Sequence, residues 1–409
     1  MKVLVIGLSP YLTTSRSKVS ALVMRYLYVK GFEVAGAVWA HDTSYFIPDD
    51  DGNLVYEFEV EGHGTHSVPL KEFNRGDKEA IEVYEIMDKL HPDLVITVGD
   101  HGDFAYMKAV KMFYNKPFKW MFLLMNYSSP INENDHELIE NADGVLCTSQ
   151  FGYDTVKNLY GKELIDIGYL GSNLKTFHLM EEDVMAPDDK FQVMTSGKCH
   201  QVDDLPMVIE AVAQARQSNP NIELYVHTNL HDRGDYDLEI IKGRFDPKDE
   251  FVRFPEKFVS LYEGISDKEL SDEMRKADLY LSVPLVSATS MTAFDAIACG
   301  CFPLLSDCGS NRDLAGILAE CSEGYTAEDF LVPCVKLMSA ASSYLNVCDP
   351  QQMSKKILAA SKTYKKDAGR KPNFEEFTKG YNREGFLKKL SQMIDSVEKS
   401  DHVVCLETV

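Results

Sequence analysis

The sequence contains no apolar run close to the roughly 18 residues that a membrane-spanning helix needs. Its opening MKVLVIGLSP has no basic segment, no long apolar segment and no small-residue cleavage site, so it predicts a first β-strand and no secretion signal. None of the nine cysteines forms a CxxC pair, and no histidine spacing completes a zinc site. We therefore expect no integral membrane segment, no bound metal, and free thiols in a reducing cytoplasm.

The chain also has too little positive charge for a basic nucleic-acid-binding module. Its 42 lysines and arginines face 64 aspartates and glutamates, which gives a formal net charge of −22. Such a field repels nucleic acid and anionic membranes at long range, although a local basic cleft is compatible with it. A local run of lysines at 108, 111, 116 and 119 is typical of a solvated helix face.

The length and the element pattern predict two α/β domains. A chain of 409 residues exceeds what one hydrophobic core usually serves. Strand-like and helix-like segments alternate through the first half, and a second series starts near Lys190, which predicts two doubly wound parallel sheets. The acidic stretch 181–189 predicts a linker between domains at 1–180 and 190–372. Residues 41–77 are polar, and His63 and His66 within them are typical of a loop.

The most informative segment runs from Ser282 to Asp307. A strand ends near Pro284, a loop of small residues from Ser287 to Ser290 follows, and a helix then carries Asp295 about one turn in. Ligands sit at the carboxyl ends of parallel strands, where free backbone N–H groups and the helix dipole attract anions. Hydroxyl groups in the loop add donors, and Asp295 is placed to accept ribose hydroxyls. The alternative is a capped helix with nothing bound.

Two turns of the first half predict a second polar site. Gly99 to Asp103 directly follows a strand, so Asp100 and His101 are expected either to project towards ligand or to cap the next helix. Asn126 follows the next strand. Ser15 and Arg16 lie after the first strand, where they either touch a ligand or belong to an exposed helix start. The Asp-His-Gly-Asp order is an incomplete metal ligand set.

The residues Asp295-Ala-Ile-Ala-Cys-Gly-Cys-Phe-Pro303 resemble the donor-binding signature of retaining GT-B glycosyltransferases of the family-4 type, also called glycosyl transferases group 1. Ser287 stands where that signature has its first Glu, and Ser306, Asp307 and Asn311 match members with a Ser/Thr-rich loop. Further ordered matches make the resemblance cover nearly the whole chain, and they lie at 144–153, 167–177, 193–211, 224–228 and 267–270.

The resemblance implies a GT-B fold, with two Rossmann-like domains facing a cleft and helices at 373–400 packing back on the first. It implies retaining transfer from a nucleotide diphosphate sugar, expected to be a UDP-sugar, to an acceptor hydroxyl, with no bound cofactor or metal. Asp295 would then hold the ribose, and the donor sugar would lie near Ser287. The remaining donor-binding residues implied are the phosphate-binding loop Ala288, Thr289, Ser290 and Met291.

The family also has a basic pair after the strand at 191–195, which neutralises the leaving diphosphate. Lys198 fits the first position, but the second falls at Asp203–Asp204, where the charge has the wrong sign. His200 is the candidate substitute.

The resemblance assigns the first domain to the acceptor. The catalytic candidates are Asp100, His101 and Lys198, and the acceptor-side candidates are Ser15, Arg16 and Asn126. The acceptor is left open as a glycan, a small molecule, a protein or a hydroxymethylated base of viral DNA. Alternative functions are an inactive, ligand-binding GT-B relative and a sugar-nucleotide epimerase.

Overall fold

The computed structural model divides the chain into two compact units. It describes residues 1–39, 53–127, 129–131, 133–157, 164–180, 190–231, 234–257, 259, 263–339, 343–365, 368–369 and 371–400. The first unit holds Met1–Asn126, Ile131–Gly168 and the chain from Leu387 onward, and the second holds Tyr127–Pro130 and Tyr169–Phe386. The predicted linker at 181–189 and the tail at 401–409 lie outside the described residues.

The first unit is built on an eight-stranded sheet. Its strands are β1 (Lys2–Leu8), β2 (Glu33–Trp39), β3 (Val55–Val60), β4 (Gly64–Glu72), β5 (Leu94–Gly99), β6 (Lys119–Leu124), β7 (Gly144–Cys147) and β8 (Ile165–Ile167). The spatial order is β3-β4-β2-β1-β5-β6-β7-β8, and every pair except β3–β4 is parallel. Its central strands are continuous apolar runs because both faces of a parallel sheet are covered.

Five helices belong wholly to this unit, among the described residues: α1 (Ser15–Val29), α2 (Glu79–Leu90), α3 (Met107–Phe113), α4 (Glu133–Glu140) and α5 (Gln150–Lys157). Helix α1 begins where the Thr14 hydroxyl accepts the Ser17 N–H at 3.2 Å. Gly7 permits β1 and α1 to approach, since a Cβ there would lie 2.5 Å from the Ser20 hydroxyl. The cap and the close packing therefore constrain the turn between β1 and α1.

The polar stretch after β2 contains a hairpin that the sequence analysis missed. Strands β3 and β4 pair in antiparallel register from Val55↔Pro69 to Val60↔Gly64. His66 was expected in a loop, but it lies in β4, where its Nδ1 is 3.2 Å from the Tyr28 hydroxyl. Polar and apolar residues alternate along 56–60, which is the period of a half-exposed strand at a sheet edge.

The second unit is built on a six-stranded, wholly parallel sheet in the order β11-β10-β9-β12-β13-β14. Its strands are β9 (Phe191–Ser196), β10 (Ile222–His227), β11 (Val252–Arg253), β12 (Leu279–Ser282), β13 (Phe302–Ser306) and β14 (Leu331–Val332). Two small antiparallel pairs follow, β15 (Cys334–Met338) with β16 (Tyr344–Cys348) and β17 (Tyr364–Lys365) with β18 (Ala368–Gly369).

The remaining helices are α6 (Leu205–Arg216), α7 (Leu238–Phe245), α8 (Asp267–Lys276), α9 (Met291–Ala298), α10 (Gly309–Glu320), α11 (Ala327–Phe330), α12 (Pro350–Thr363), α13 (Phe374–Gly380) and α14 (Arg383–Lys399). Each unit has its own buried apolar cluster. The predicted α/β class with parallel, Rossmann-like sheets is confirmed.

Candidate functional site

In the second unit, the sheet changes its winding direction between β9 and β12. The chain leaves β9 for β10 on one side, and it leaves β12 for β13 on the other. Ligands of open parallel sheets bind outside the carboxyl ends of the strands at such a switch point. The two strands are joined there by a 2.6 Å contact between the hydroxyls of Ser196 and Tyr280.

The loop after β12, which we call the serine loop (Val283–Ser290), contains a network of hydroxyl contacts at this edge. The Ser287 hydroxyl is 3.0 Å from that of Ser290 and 2.9 Å from that of Ser310. Both Ser287 and Ser290 donate to Oδ1 of Asn311, at 3.0 and 2.6 Å. The Asn311 amide in turn donates to Ser306 at 3.0 Å. We call these residues the serine–asparagine cluster.

Helix α9 begins directly after this cluster. The side chain of Ser290, the residue before the helix, does not cap its first turn. Ser290 has left-handed backbone angles (φ 47°) and its side chain makes no capping bond to that turn, within the described part of the chain. Its hydroxyl is engaged with Ser310 and Asn311 instead. The first N–H groups of a helix have no intrahelical partner, so this turn offers donors to an anion. Ala288, Thr289 and Met291 around it are buried.

The start of α10 is pressed against the serine loop. Gly309 has φ 46°, and a Cβ there would lie 2.1 Å from the Ser287 carbonyl oxygen. The next N–H, that of Ser310, donates to the same oxygen at 3.0 Å. Only glycine fits both the left-handed angle and the close approach. This backbone contact brings Ser310 and Asn311 to the loop.

Asp295 lies in the second turn of α9 and is 5% exposed. Its Oδ1 accepts the Ser172 hydroxyl at 2.7 Å. Ser172 itself is buried and follows Gly171, which has φ 59°. The turn at 171–173 therefore orients the Asp295 carboxylate, a contact that the sequence analysis did not foresee.

The turn after β9 places the other donor-side candidates. Lys198 is exposed, and its backbone N–H donates to Oδ2 of Asp203 at 2.7 Å. Burial raises the pKa of Asp203, partly offset by this hydrogen bond and by the Lys198 charge. His200 is exposed, with its Nδ1 3.6 Å from the Asp235 carboxylate. Asp203 thus organises the backbone of the turn that carries Lys198.

Asp204, at the start of α6, is a buried carboxylate in an unusual position. It is 7% exposed and has φ 51°, and its Oδ2 has no hydrogen-bond partner within the described part of the chain. Burial raises its pKa to about 6. An ionised carboxylate without a partner is costly to bury, so this group destabilises the folded chain at neutral pH.

We expect Asp204→Asn to stabilise the protein at pH 7–8 by about 1–2 kcal/mol, because asparagine tolerates the left-handed angle and removes the charge. Protonation of Asp204 also removes the charge, so the free energy of unfolding of the native protein should fall as pH rises from roughly 4 to 6. The stabilisation by Asp204→Asn should therefore vanish at about pH 4. Chemical denaturation across pH measures this. Asp249→Asn, left-handed but exposed, is the control and should show no such pH-dependent gain.

In the first unit, β5 ends in a short 3₁₀ turn at His101–Asp103. The Asp100 carboxylate accepts the His101 N–H at 3.0 Å, and Asp103 accepts the Asp100 N–H at 3.1 Å. The capping alternative is therefore realised by Asp100 and Asp103, and it holds the side chains of this turn in fixed positions.

His101 lies between two carboxylates. Its Nε2 is 3.6 Å from Asp100 Oδ1, and its Nδ1 is 3.1 Å from Asp135 Oδ2. The ring is 7% exposed. Burial raises the pKa of Asp100, although the charges of His101 and Arg16 oppose this. The imidazole therefore lies near one carboxylate at each ring nitrogen, an environment that suits a hydrogen-bonding or proton-transfer group.

Two arginines converge on the far side of this turn. The Arg16 guanidinium contacts the Asp103 carboxylate, and Arg75 Nη1 lies 3.4 Å from the other oxygen of Asp103. Arg75 also lies over the Trp39 ring, 5.0 Å from its centroid. Ser15 is half-buried in the first turn of α1. The structure thus brings Arg16, Asp100 and His101 together.

Asn126 is fully buried just after β6, next to the carboxyl end of β5. The backbone N–H of its neighbour Met125 donates to the Gly99 oxygen at 2.8 Å. Asn126 therefore lies at the same sheet edge as the Asp100 turn.

Each lysine of the run near α3 has a polar partner, which is a carboxylate for three of them and a backbone carbonyl for the fourth. Lys108 contacts Glu137, Lys111 lies 2.8 Å from Asp143, Lys116 lies 2.9 Å from Asp88, and Lys119 donates to the Ser400 carbonyl at 2.6 Å. This surface is therefore not an unpaired basic patch.

Within the described ranges, no group of three or more His, Cys, Asp or Glu residues is arranged to hold a metal ion. No helix in the same ranges combines the length and apolar character that crossing a membrane requires.

The sequence matches no protein-family model, and no curated protein sequence is significantly similar to it. A sucrose-phosphate synthase from Thermosynechococcus elongatus aligns structurally at TM-score 0.71 and 15% identity, over 97% of this chain and 99% of that one.

Two further structures contain nucleotide ligands. One, described as trehalose-6-phosphate from E. coli bound with UDP-2-fluoro glucose, aligns at TM-score 0.64 and 11% identity, over 96% of this chain and 99% of that one. The pneumococcal O-GlcNAc transferase GtfA in complex with UDP and GlcNAc aligns at TM-score 0.62 and 10% identity, over 98% and 99%. Together with the two parallel sheets, these likenesses show that the chain has the GT-B fold.

Proposed function

We propose that this protein is a glycosyltransferase that moves a sugar from a nucleotide diphosphate sugar to an acceptor hydroxyl, with retention at the anomeric carbon. The observation that carries the proposal is the uncapped first turn of α9 beside the serine–asparagine cluster, at the switch point of a parallel sheet. Backbone donors, a helix dipole and hydroxyls at one point are what a diphosphate requires.

The donor half of the reaction is assigned to the second unit. The amides of 288–291 bind the phosphates, and Asp295, oriented by Ser172, accepts the ribose hydroxyls. The donor sugar lies near Ser287. Lys198 neutralises the diphosphate as it leaves, with His200 as the second candidate for this role, because negative charge on the diphosphate develops in the transition state.

A UDP-sugar is the donor that the fold likeness favours. Two of the similar structures are described with UDP or a UDP-sugar bound. Calorimetric titration with UDP-glucose and with GDP-glucose tests the choice of base, and we expect the UDP-sugar to bind more tightly.

The acceptor half is assigned to the first unit. The cluster of Asp100, His101 and Arg16 supplies a buried imidazole and a guanidinium that orient a hydroxyl, with Asn126 and Ser15 at the same sheet edge. Positioning the hydroxyl is itself a large part of catalysis. The pairing of every lysine near α3 weighs against a DNA acceptor, so we favour a sugar, glycan or small-molecule acceptor.

Incubation with UDP-sugars separates this function from its alternatives. Release of UDP that increases with a carbohydrate acceptor, with one product of retained anomeric configuration by NMR, supports the transferase. Conversion of the free nucleotide sugar into its epimer without acceptor indicates an epimerase. Binding without turnover indicates an inactive relative. This outcome is worth testing because Asp203 and Asp204 stand where the resembled family has its second basic residue.

We expect Asp295→Ala to weaken binding of a UDP-sugar by about 1.5 kcal/mol, roughly tenfold in Kd, because a charged acceptor of the ribose hydroxyls is lost. Calorimetric titration measures the change. Asp295→Asn keeps an oxygen for Ser172 and serves as the control for folding. Unchanged affinity in the alanine variant, with its melting midpoint preserved, would remove Asp295 from the donor site.

Lys198→Ala should lower turnover about tenfold while changing donor affinity less, because its charge is needed most when the diphosphate leaves. Initial rates and Kd for the same UDP-sugar measure this split. Arg312→Ala is the matched variant, since Arg312 is already paired with Asp307 at 2.6 Å. A loss of turnover in the Arg312 variant alone would assign the role to Arg312.

A further inference from the structure

A pair of cysteines outside the proposed chemistry meets across the hairpin β15–β16. Cys334 and Cys348 are directly opposite each other in the antiparallel register, and their sulfurs are 3.2 Å apart. Both are free thiols. Two thiols in contact at one end of a hairpin are the starting arrangement for a disulfide.

The backbone geometry of this pair suits a disulfide. The Asn346 N–H donates to the Leu285 oxygen at 2.9 Å, so this N–H points away from β15. The N–H of Cys348, two residues along the strand, has the same direction, so Cys334 and Cys348 form a non-hydrogen-bonded pair. The Cα atoms of such pairs are about 4.5 Å apart, within the roughly 4.4–6.8 Å found across disulfides.

The two thiols differ in access and in acidity. Cys334 is half-buried, whereas Cys348 is 1% exposed. The hydrogen bond between the two thiols lowers the pKa of Cys334 from its usual value and, together with burial, raises the pKa of Cys348. The accessible sulfur is therefore the one favoured as thiolate, the form that attacks disulfides.

We propose that Cys334 and Cys348 form a reversible thiol–disulfide site, which is oxidised by small-molecule disulfides of the glutathione type and which tightens the serine loop. The Cys334 thiolate attacks one sulfur of the oxidant, forming a mixed disulfide and releasing one thiolate. Cys348 loses its proton and attacks the Cys334 sulfur, releasing the second thiolate. Two protein thiols and one small disulfide thus become one protein disulfide and two small thiols.

The hairpin is joined to the serine loop by hydrogen bonds from Asn346. Its backbone N–H and its side-chain Nδ2 both donate to the Leu285 oxygen, at 2.9 and 3.1 Å. The Leu285 N–H donates to the Val202 oxygen at 2.8 Å. A covalent tie between Cys334 and Cys348 opposes separation of β15 from β16, and so it opposes the local openings that free Leu285.

Cys308 is the competing partner and defines a control. Its sulfur lies 3.2 Å from the Ser306 hydroxyl and 3.6 Å from the Pro284 oxygen. The sulfur of Cys334, by contrast, is in direct contact with that of Cys348 at 3.2 Å. Cys308→Ala should therefore leave oxidation of the pair intact.

The test is incubation of the full chain with oxidised glutathione, followed by alkylation and peptide mass mapping. We expect a cross-linked Cys334–Cys348 peptide in the wild type and in Cys308→Ala, with its loss in Cys334→Ser and Cys348→Ala, and reversal by reduced glutathione. Hydrogen exchange of the peptide covering 283–290 should slow about threefold on oxidation.

Two outcomes would overturn the proposal. A folded wild-type protein without this cross-link, or with Cys308 in its place, excludes the site. A cross-link that leaves exchange of 283–290 unchanged excludes the effect on the serine loop. Neither readout uses a nucleotide or a sugar, so the result is independent of the proposed glycosyl transfer.

Discussion

Gly309→Ala should destabilise the second unit by about 3–5 kcal/mol, since the added Cβ would overlap a backbone atom that has no room to move. It would lie 2.1 Å from the Ser287 oxygen at a residue with φ 46°, and relief requires α10 to separate from the serine loop. That separation breaks the contacts of Asn311 with Ser287 and Ser290. Nucleotide binding should therefore be lost together with stability.

Thermal and denaturant unfolding measure the first effect, and calorimetry with UDP measures the second. Gly316→Ala is the matched control, because Gly316 is in the same helix with nothing within 4 Å of an added Cβ. It should be neutral or stabilise the protein by up to about 1 kcal/mol. Equal melting midpoints for the two variants would contradict the tight packing of α10 on the loop.

His101→Ala should reduce sugar transfer about 100-fold, equivalent to about 2.7 kcal/mol, while leaving the Kd for UDP unchanged. The reason is that the imidazole, which lies near the carboxylates of Asp100 and Asp135, is proposed to act on the acceptor, whereas the nucleotide contacts are proposed to lie in the other unit. Transfer rate, UDP affinity and melting midpoint should be measured on the same preparation.

His66→Ala is the control for this prediction, because His66 lies in the same unit and contacts only the Tyr28 hydroxyl and aromatic rings among its described contacts. It should retain normal transfer. If His101→Ala loses about 1 kcal/mol of stability but keeps its specific activity, the turn has a structural role alone. Asp100→Ala should behave like His101→Ala.

The sequence predicted the layered fold because strands and helices alternate with clear periods. It missed β3 and β4, since their composition is polar, although the alternation along 56–60 was a usable signal. The hairpin lies at the edge of the sheet and its outer face is solvated. The polar composition of residues 41–77 therefore indicated a loop, although the alternation predicted a strand.

The local geometry of the candidate site was visible from the sequence only in part. The serine loop is contiguous in sequence, so its hydroxyls and the following helix were visible from spacing. Its contacts with Ser310 depend on β12 and β13 being neighbours, which brings residues 23 positions apart together. Likewise, the charge of Asp204 was visible, but its burial and left-handed backbone were not.

The proposed binding of a diphosphate at the start of α9 is tested most directly by calorimetric titration of the wild type with UDP and with UMP. The two phosphates of UDP should contact more of the amides and hydroxyls of the serine loop than the single phosphate of UMP can. We predict one UDP site per chain, with UDP bound at least about tenfold more tightly than UMP, or about 1.4 kcal/mol. Equal affinities, or no binding of UDP by a folded protein, would contradict the account.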